Sequence, residues 1–294
     1  MKSIKKLLQF LILVLFVSCT NANTDNGDSI RIATFNVEWL GDGLNDQKPR
    51  TQEDYARIAD VILDTKAEVI GLQEVENETA MKYLLQFLPE FDFYIVDDDY
   101  RQRNAVLIKK TVTVLEHKNF NDLIVKENRT RPGLLLNLKK NNFDFNLMVV
   151  HFKSTSRFDS TDEMKFESYE LRYKQALVLD KWVENTLNTS NEKDLIILGD
   201  FNDNPKNKKP RGNLDALIEN TNISFLTTDL TSCKNAKWNV IDHIIISNSA
   251  KNRYFENSVH LYDTYSAYTP EEVKFISDHC PVVATFNTKM PDND

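Results

Sequence analysis

Apolar positions in this chain repeat with two periods, and the period switches along its length. Ile30–Val37 alternates closely enough to be a strand. Over Thr51–Thr65 the apolar residues fall at Tyr55, Ile58, Ala59, Ile62 and Leu63, which is helical spacing, and Thr51 with Asp54 resembles a helix-starting box. Glu68–Glu74 reads as a short apolar strand, followed by a helix over about Glu78–Leu88 that Pro89 ends. Phe91–Val96, Ala105–Ile108, Thr111–His117, Leu134–Leu138 and Phe143–His151 read as successive strands. A long helix over about Lys165–Leu187 follows, with a stripe of Tyr169, Tyr173, Ala176, Leu177 and Val183. Asp194–Leu198 is a strand, Asn213–Ile218 starts a helix, and Val240–Ser247 and Val282–Phe286 are late strands. Hairpin-like strand pairs mixed with long helices predict two sheets packed face to face and flanked by helices. A doubly wound parallel sheet would alternate strand and helix more regularly. No repeat or long linker interrupts the middle of the chain, so residues 30–288 read as one domain with a short tail at 289–294.

Chemistry collects at one kind of place in this pattern, the end of an apolar strand. Asn36 ends the first strand, Glu74 the second and His151 another. Asp200 and Asn202 follow the run LIIL, with Gly199 permitting the turn; Asp242 and His243 lie inside NVIDHIIIS; Asp278 and His279 precede the last strand. Each has a plain structural reading when taken alone. Asn36 caps a turn, Glu74 pairs with a lysine, His151 is a satisfied strand-end histidine, Asp200 with Asn202 forms an Asx turn, and Asp242 binds backbone amides. Alternation points His243 away from Asp242, which makes it structural. Burying so many ionisable groups at strand ends costs free energy unless a metal, a charge or a ligand compensates them. The clusters therefore suggest one hydrolytic site loaded with a divalent metal. Arg103, Arg131 and Lys153 stand near these ends and suit phosphate contacts. Arg172 and Gln175 on the long helix read instead as ties between that helix and the sandwich.

The ordered series FNVEW, GLQEVEN, VVHFKS, LGDFNDNP, IDHIIIS and SDHCPVV resembles the endonuclease/exonuclease/phosphatase superfamily, which includes DNase I, abasic-site endonucleases, inositol-polyphosphate phosphatases and bacterial sphingomyelinases. The resemblance covers about Ile30–Phe286. It implies a DNase I-like, four-layered α/β sandwich with Mg²⁺ (or Mn²⁺) at its edge. It also implies roles. Glu74 is the principal metal ligand, Asn36 supports the metal and contacts phosphate, and Asp278 binds the metal or its water. Asp200 positions or deprotonates the attacking water, and Asn202 holds a phosphate oxygen. His279 is a general base or a donor to the phosphoryl oxygens, oriented by Asp242, and His151 is a general acid. The substrate it implies is a phosphoester, possibly DNA or RNA. His151 in its HFKS context favours an endonuclease or phosphodiesterase over an abasic-site enzyme. A phosphatase or a sphingomyelinase-type phospholipase is the alternative, and a catalytically silent surface-binding module is the reading from another class.

Composition adds limits. The chain has 294 residues, 41% hydrophobic, 27% charged, with a net charge of −8, which argues against tight non-specific nucleic-acid binding but leaves room for a metal-dependent nuclease. Lys2, Lys5 and Lys6 precede the apolar run Leu7–Val17, a signal-type segment too short to span a bilayer comfortably. Ser18-Cys19 then resembles a bacterial lipoprotein signal. The expectation is a signal peptide over residues 1–18, a lipidated tether over 19–29 beginning at Cys19, and a monomer held to the membrane of the cell envelope by that lipid anchor; simple secretion is the alternative. Of the remaining cysteines, Cys233 and Cys280 are free to pair, but two make no framework, and Cys280 reads as a buried free thiol. The basic run Lys206–Arg211 reads as a solvated loop, and Tyr262, Tyr265 and Tyr268 as a loop cluster.

Overall fold

Ile30 and Ile32 point to one side of the first strand and Ala33, Phe35 and Val37 to the other, and all five are buried. A strand apolar on both faces belongs in the middle of a layered fold. The computed structural model describes residues 27–156, 158–207, 213–292 and 294. Along them run β1 (Ser29–Leu40), α1 (Gln52–Thr65), β2 (Val69–Val75), α2 (Glu78–Leu85), β3 (Phe91–Ile95), β4 (Arg103–Lys109), β5 (Thr113–Phe120), β6 (Gly133–Lys140), β7 (Phe143–His151), α3 (Asp162–Thr189), β8 (Leu195–Asp200), α4 (Asp215–Glu219), β9 (Ile223–Phe225), β10 (Asp242–Ser247), α5 (Asn248–Lys251), β11 (His260–Leu261), α6 (Thr264–Ala267), α7 (Pro270–Ile276) and β12 (Val282–Asn287). The expected signal peptide, Cys19, the first part of the tether and residues 208–211 of the basic run lie outside the described residues. No helix of the described residues is long and apolar enough to cross a membrane.

The strands form two six-stranded sheets, in the orders β11-β12-β1-β2-β4-β3 and β5-β6-β7-β8-β10-β9. β1 with β2 and β7 with β8 pair in parallel; the other neighbours are antiparallel, so both sheets are mixed. Three apolar layers hold them. Ile32 and Val106 of the first sheet meet Leu136, Val149 and Leu198 of the second. The outer face of the first sheet packs on Ile58, Ile62, Met81 and Leu84 of α1 and α2, and the outer face of the second on Ala176, Leu179, Val183 and Leu217 of α3 and α4. This is the four-layered α/β sandwich that was expected.

Local signals explain most boundaries. The Thr51–Asp54 capping box starts α1, with each side chain meeting the other's backbone N–H. Regular α2 closes at Leu85, and the chain tightens through Phe87 N–H to Leu84 O and Leu88 N–H to Leu85 O before Pro89. The periodic stripe of α3 understates its length, because no residue of the first turn, capped by Thr161, is buried. β9, β11, α5, α6 and α7 are too short for periodicity to reveal. Tyr265 belongs to α6, and Tyr262 donates to Asp64 of α1 at 2.6 Å, so the tyrosines are partly tied to helices.

Register brings the polar strand ends to one pole. Asp200 on β8 pairs with His151 on β7 and with Asp242 on β10, so three chemical side chains stand abreast on neighbouring strands. Gly199 does not turn the chain but lies within β8. Its φ is +148°, and a Cβ there would sit 1.9 Å from the Val150 carbonyl oxygen, so only glycine admits the close β7–β8 approach beside Asp200.

Candidate active site

Alternation places Asn36, His151, Asp200 and Asp242 on the face of their strands that turns toward the opposite sheet. Glu74 should face the other way, since Leu72 lies on the helix-covered face. The backbone overrides this. Glu74 has φ of +65° within an irregularity between Leu72 and Val75, and its carboxylate accepts from Asn36 Nδ2 at 3.4 Å. A matching irregularity lies in β1, with Glu38 and Trp39 at positive φ, and Glu38 Oε2 accepts the Asp278 N–H at 3.0 Å. Buried Arg50 braces it by donating to the carbonyls of Val37 and Glu38 at 2.7 and 2.6 Å.

Asp200 is the hub. Its Oδ1 accepts from the Asn202 N–H at 2.8 Å and its Oδ2 from Asn36 Nδ2 at 3.1 Å. His151 Nε2 and His279 Nε2 lie 3.6 and 3.9 Å from the same Oδ2. Asn202 has φ of +52° and donates Nδ2 to the Phe152 carbonyl at 3.2 Å; with Asp200 it forms the Asx turn. Asn36 uses Oδ1 to accept the Glu38 N–H at 3.0 Å and turns its amide protons to the two carboxylates. His279 Nδ1 is 2.7 Å from Asp242 Oδ2, the orienting contact that was expected. Ser277 holds this segment on β1: its Oγ donates to the Asn36 carbonyl at 2.7 Å and accepts the His279 N–H at 3.0 Å. Asp278 is half-exposed and pairs with Lys234 at 3.2 Å, with His279 Nε2 3.8 Å from its other oxygen.

The electrostatics separate the two histidines. Burial, then Arg131, His279 and Lys153, hold the His151 imidazole well below its usual pKa. Burial also opposes charge on His279, but Asp242, Asp200 and Asp278 together outweigh it and hold that imidazolium well above the usual value. Burial, then Asp242, push the Asp200 carboxyl up to about 7. Burial raises Glu74 against the opposing pull of Arg131 and His279. Burial likewise works against ionisation of Asp278, yet His279, Lys234 and Lys48 hold it below the usual carboxylate range.

A cavity of about 680 Å³ opens beside Glu74, lined among others by Tyr100, Arg129, Arg131, Lys153 and Phe158. Lys153 is placed there by α3. Arg172 donates to the Lys153 and Asn202 carbonyls at 2.9 and 2.6 Å, and Gln175 Oε1 accepts the Lys153 N–H at 2.8 Å. Those two residues therefore tie the helix to the loops that follow His151 and Asp200. Arg103 donates Nε to the Tyr100 carbonyl at 3.1 Å, and the cavity is lined by its neighbour Gln102 rather than by Arg103 itself. Buried His243 meets Thr227 and the Asp203 carbonyl, as its structural reading requires.

The donor set fits a hard divalent cation at Glu74. Among the described residues a single donor, Asn36 Nδ2, reaches this largely buried carboxylate within hydrogen-bond distance. A buried carboxylate with so little compensation is the kind of hard oxygen ligand that Mg²⁺ or Mn²⁺ takes, with water filling further positions. Asp200, Asp242 and His279 also converge closely enough to hold an ion.

A further expectation is overturned. Cys280 is no free thiol: it forms a disulfide with Cys233, at a Cα separation of 6.4 Å. The loop that carries Cys233 closes through the Thr231–Asn239 bridge and lays its cysteine on the segment after His279, a meeting that spacing along the chain does not reveal. Double replacement by serine is expected to cost about 2–4 kcal/mol, read as a Tm lower by up to roughly 10 °C. An unchanged Tm would show that the bridge adds no stability.

Sequence reasoning also missed Glu38, Arg50, Tyr100 and Ser277. Ser277 and Glu38 sit inside the quoted runs SDHCPVV and FNVEW, a signal that was there to use; Tyr100 follows three aspartates in a loop and carries none.

The family model described as Endonuclease/Exonuclease/phosphatase family matches residues 33–279. No curated protein sequence matches the chain. Among solved structures, truncated TDP2 from Caenorhabditis elegans is 15% identical with a TM-score of 0.63, over 89% of this chain and 98% of that one. An endonuclease/exonuclease/phosphatase from Bacteroides vulgatus is 20% identical with a TM-score of 0.63, over 88% and 98%. A mannosyl-6-phosphatase from Bacteroides thetaiotaomicron is 16% identical with a TM-score of 0.60, over 87% and 98%. At these identities the likeness is one of fold. The family match and the convergence of the six polar strand ends place the chain in the endonuclease/exonuclease/phosphatase family, whose members hydrolyse phosphoester bonds.

Proposed function

We propose that the protein is a divalent-metal-dependent phosphodiesterase of the nuclease type, working outside the cytoplasm. The observation that carries this reading is Asp200, buried between His151 and His279 with Glu74 bridged to it through Asn36. A divalent ion held at Glu74, with Asp278 nearby, would supply Lewis-acid charge for the phosphoryl oxygens and the leaving group. The side chains do the rest. Asp200 takes a proton from the attacking water, and Asn36 and Asn202 hold Asp200 in place. His279, kept cationic by Asp242, donates from Nε2 to a phosphoryl oxygen. Lys153 sets a positive charge beside the phosphate.

Two cavities favour a diester. Besides the cationic one at Glu74, a smaller cavity of about 300 Å³ adjoins His279, walled by Trp238, Leu261 and the Cys233–Cys280 disulfide. A phosphate between them has a place for a substituent on either side. A soluble substrate fits better than a membrane lipid. β1 begins at Ser29, opposite Asn287, about 23 Å along the strand from Asn36. A lipid anchor at Cys19 would therefore attach to the pole opposite the cleft.

The test is turnover of plasmid DNA, bis-p-nitrophenyl phosphate and p-nitrophenyl phosphate, with Mg²⁺ or with EDTA, beside His279→Ala. Nicking and diester cleavage that need metal and vanish in the variant are expected. Cleavage of the monoester alone would replace this reading with a phosphatase.

A further inference from the structure

A guanidinium carries donors and no acceptor. Arg131 places Nη1 2.5 Å from His151 Nδ1, and both side chains are buried. Two donors cannot share that contact, so Nδ1 is the acceptor and the ring's proton lies on Nε2. That nitrogen faces the site, 3.6 Å from Asp200 Oδ2 and 4.0 Å from Glu74 Oε1. Arg131 is itself held, with its guanidinium 5.0 Å over the Tyr100 ring and Nη1 3.3 Å from the Gln102 carbonyl. His279 has the opposite partner at the same ring position, the Asp242 carboxylate at 2.7 Å. A carboxylate at Nδ1 favours the imidazolium; a guanidinium there forbids it.

We infer that Arg131 is a positioning residue that holds His151 as a neutral imidazole protonated on Nε2, so that His151 serves as a fixed hydrogen-bond donor and not as the general acid. The inference rests on the phosphoester-hydrolase reading for its kinetic consequence, but the tautomer is a property of the protein alone. Proton transfer falls to His279 and Asp200, while His151 donates from Nε2 to an oxygen of the bound phosphate without changing its own charge. Arg131 then acts through His151, and its loss lowers turnover more than substrate binding.

The tautomer is read directly by two-bond ¹⁵N–¹H correlation spectra of the purified protein labelled in its 5 histidines, metal-free and at neutral pH. His151 is assigned by the signal that His151→Gln removes. The wild type is expected to show the neutral Nε2–H form, and Arg131→Met to lose it to the Nδ1–H form or to imidazolium. An imidazolium or an Nδ1–H ring in the wild type, or an unchanged pattern in Arg131→Met, overturns the inference. If Arg131→Met does not fold, the wild-type spectrum still decides the tautomer, and Arg131→Lys, which keeps a cationic donor, is expected to preserve it. On a cleaved phosphoester, Arg131→Met is expected to lower kcat by about 10- to 100-fold with KM little changed. A raised KM at constant kcat would place Arg131 on the substrate and overturn the positioning role. A wild type that hydrolyses no phosphoester fails the functional reading, and the spectra still judge the tautomer.

Discussion

Asp200→Asn is expected to lower kcat on a phosphodiester by about 10²- to 10⁴-fold, the range for loss of a positioned general base, while making the metal-free protein more stable at pH 8. The two effects have one cause. Asp200 is buried beside Asp242, and its carboxyl is pushed up to about 7. The unfolded chain ionises near the ordinary value of about 4. A carboxyl raised on folding binds its proton more tightly in the fold, so the ionised form destabilises the native state as pH climbs from about 4 to about 7. Asparagine keeps the shape and removes the charge, so Tm curves in EDTA should coincide near pH 4 and separate above it, with the variant higher. The single amide oxygen can keep the Asn36 Nδ2 contact, but the NH₂ then faces the Asn202 N–H that Asp200 Oδ1 accepts, which offsets part of the gain. A variant less stable than the wild type at pH 8 would make Asp200 a structural anchor and remove it from the chemistry. Adding Mg²⁺ should narrow the gap, since a nearby cation offsets the buried charge.

Glu74→Gln should abolish saturable Mn²⁺ or Mg²⁺ binding in calorimetry and with it the Tm rise that the metal confers. That rise grows as RT ln(1 + [L]/Kd), about 2.7 kcal/mol at a hundredfold excess over Kd. The substitution removes a negative charge from a carboxylate that burial already opposes, so the metal-free variant should fold at least as well as the wild type. His279→Ala, by contrast, should bind metal and fail to turn over. Metal binding that persists undiminished in Glu74→Gln would move the ion to another group, with Asp200, Asp242 and His279 the next set to examine.

How much of this was legible beforehand depends on the range of the interaction involved. Period-2 and period-3.6 patterns mark the long strands and helices because burial of one face acts on every second or every third to fourth residue, a local property of the chain. They miss β9 and β11, which exist because β10 and β12 offer free edges. The site's residues could be named for the same local reason: each stands at the end of an apolar run, and an ionisable group there needs compensation. The direction of Glu74 could not be read, since alternation assigns it to the helix-covered face and only the left-handed backbone at that residue turns it to Asn36.

Composition, periodicity and the order of six motifs thus established a two-sheet sandwich of this family and most of the polar residues at its edge. Folding alone settled which of those residues touch. The Cys233–Cys280 bond spans 47 residues, Asn36 meets Asp200 across 164, and Ser277 meets Asn36 across 241. The opposed partners of the two histidines, Arg131 for His151 and Asp242 for His279, arise in the same way. Such contacts are set by strand register and sheet packing summed over the whole domain, and no local stretch of sequence contains that information.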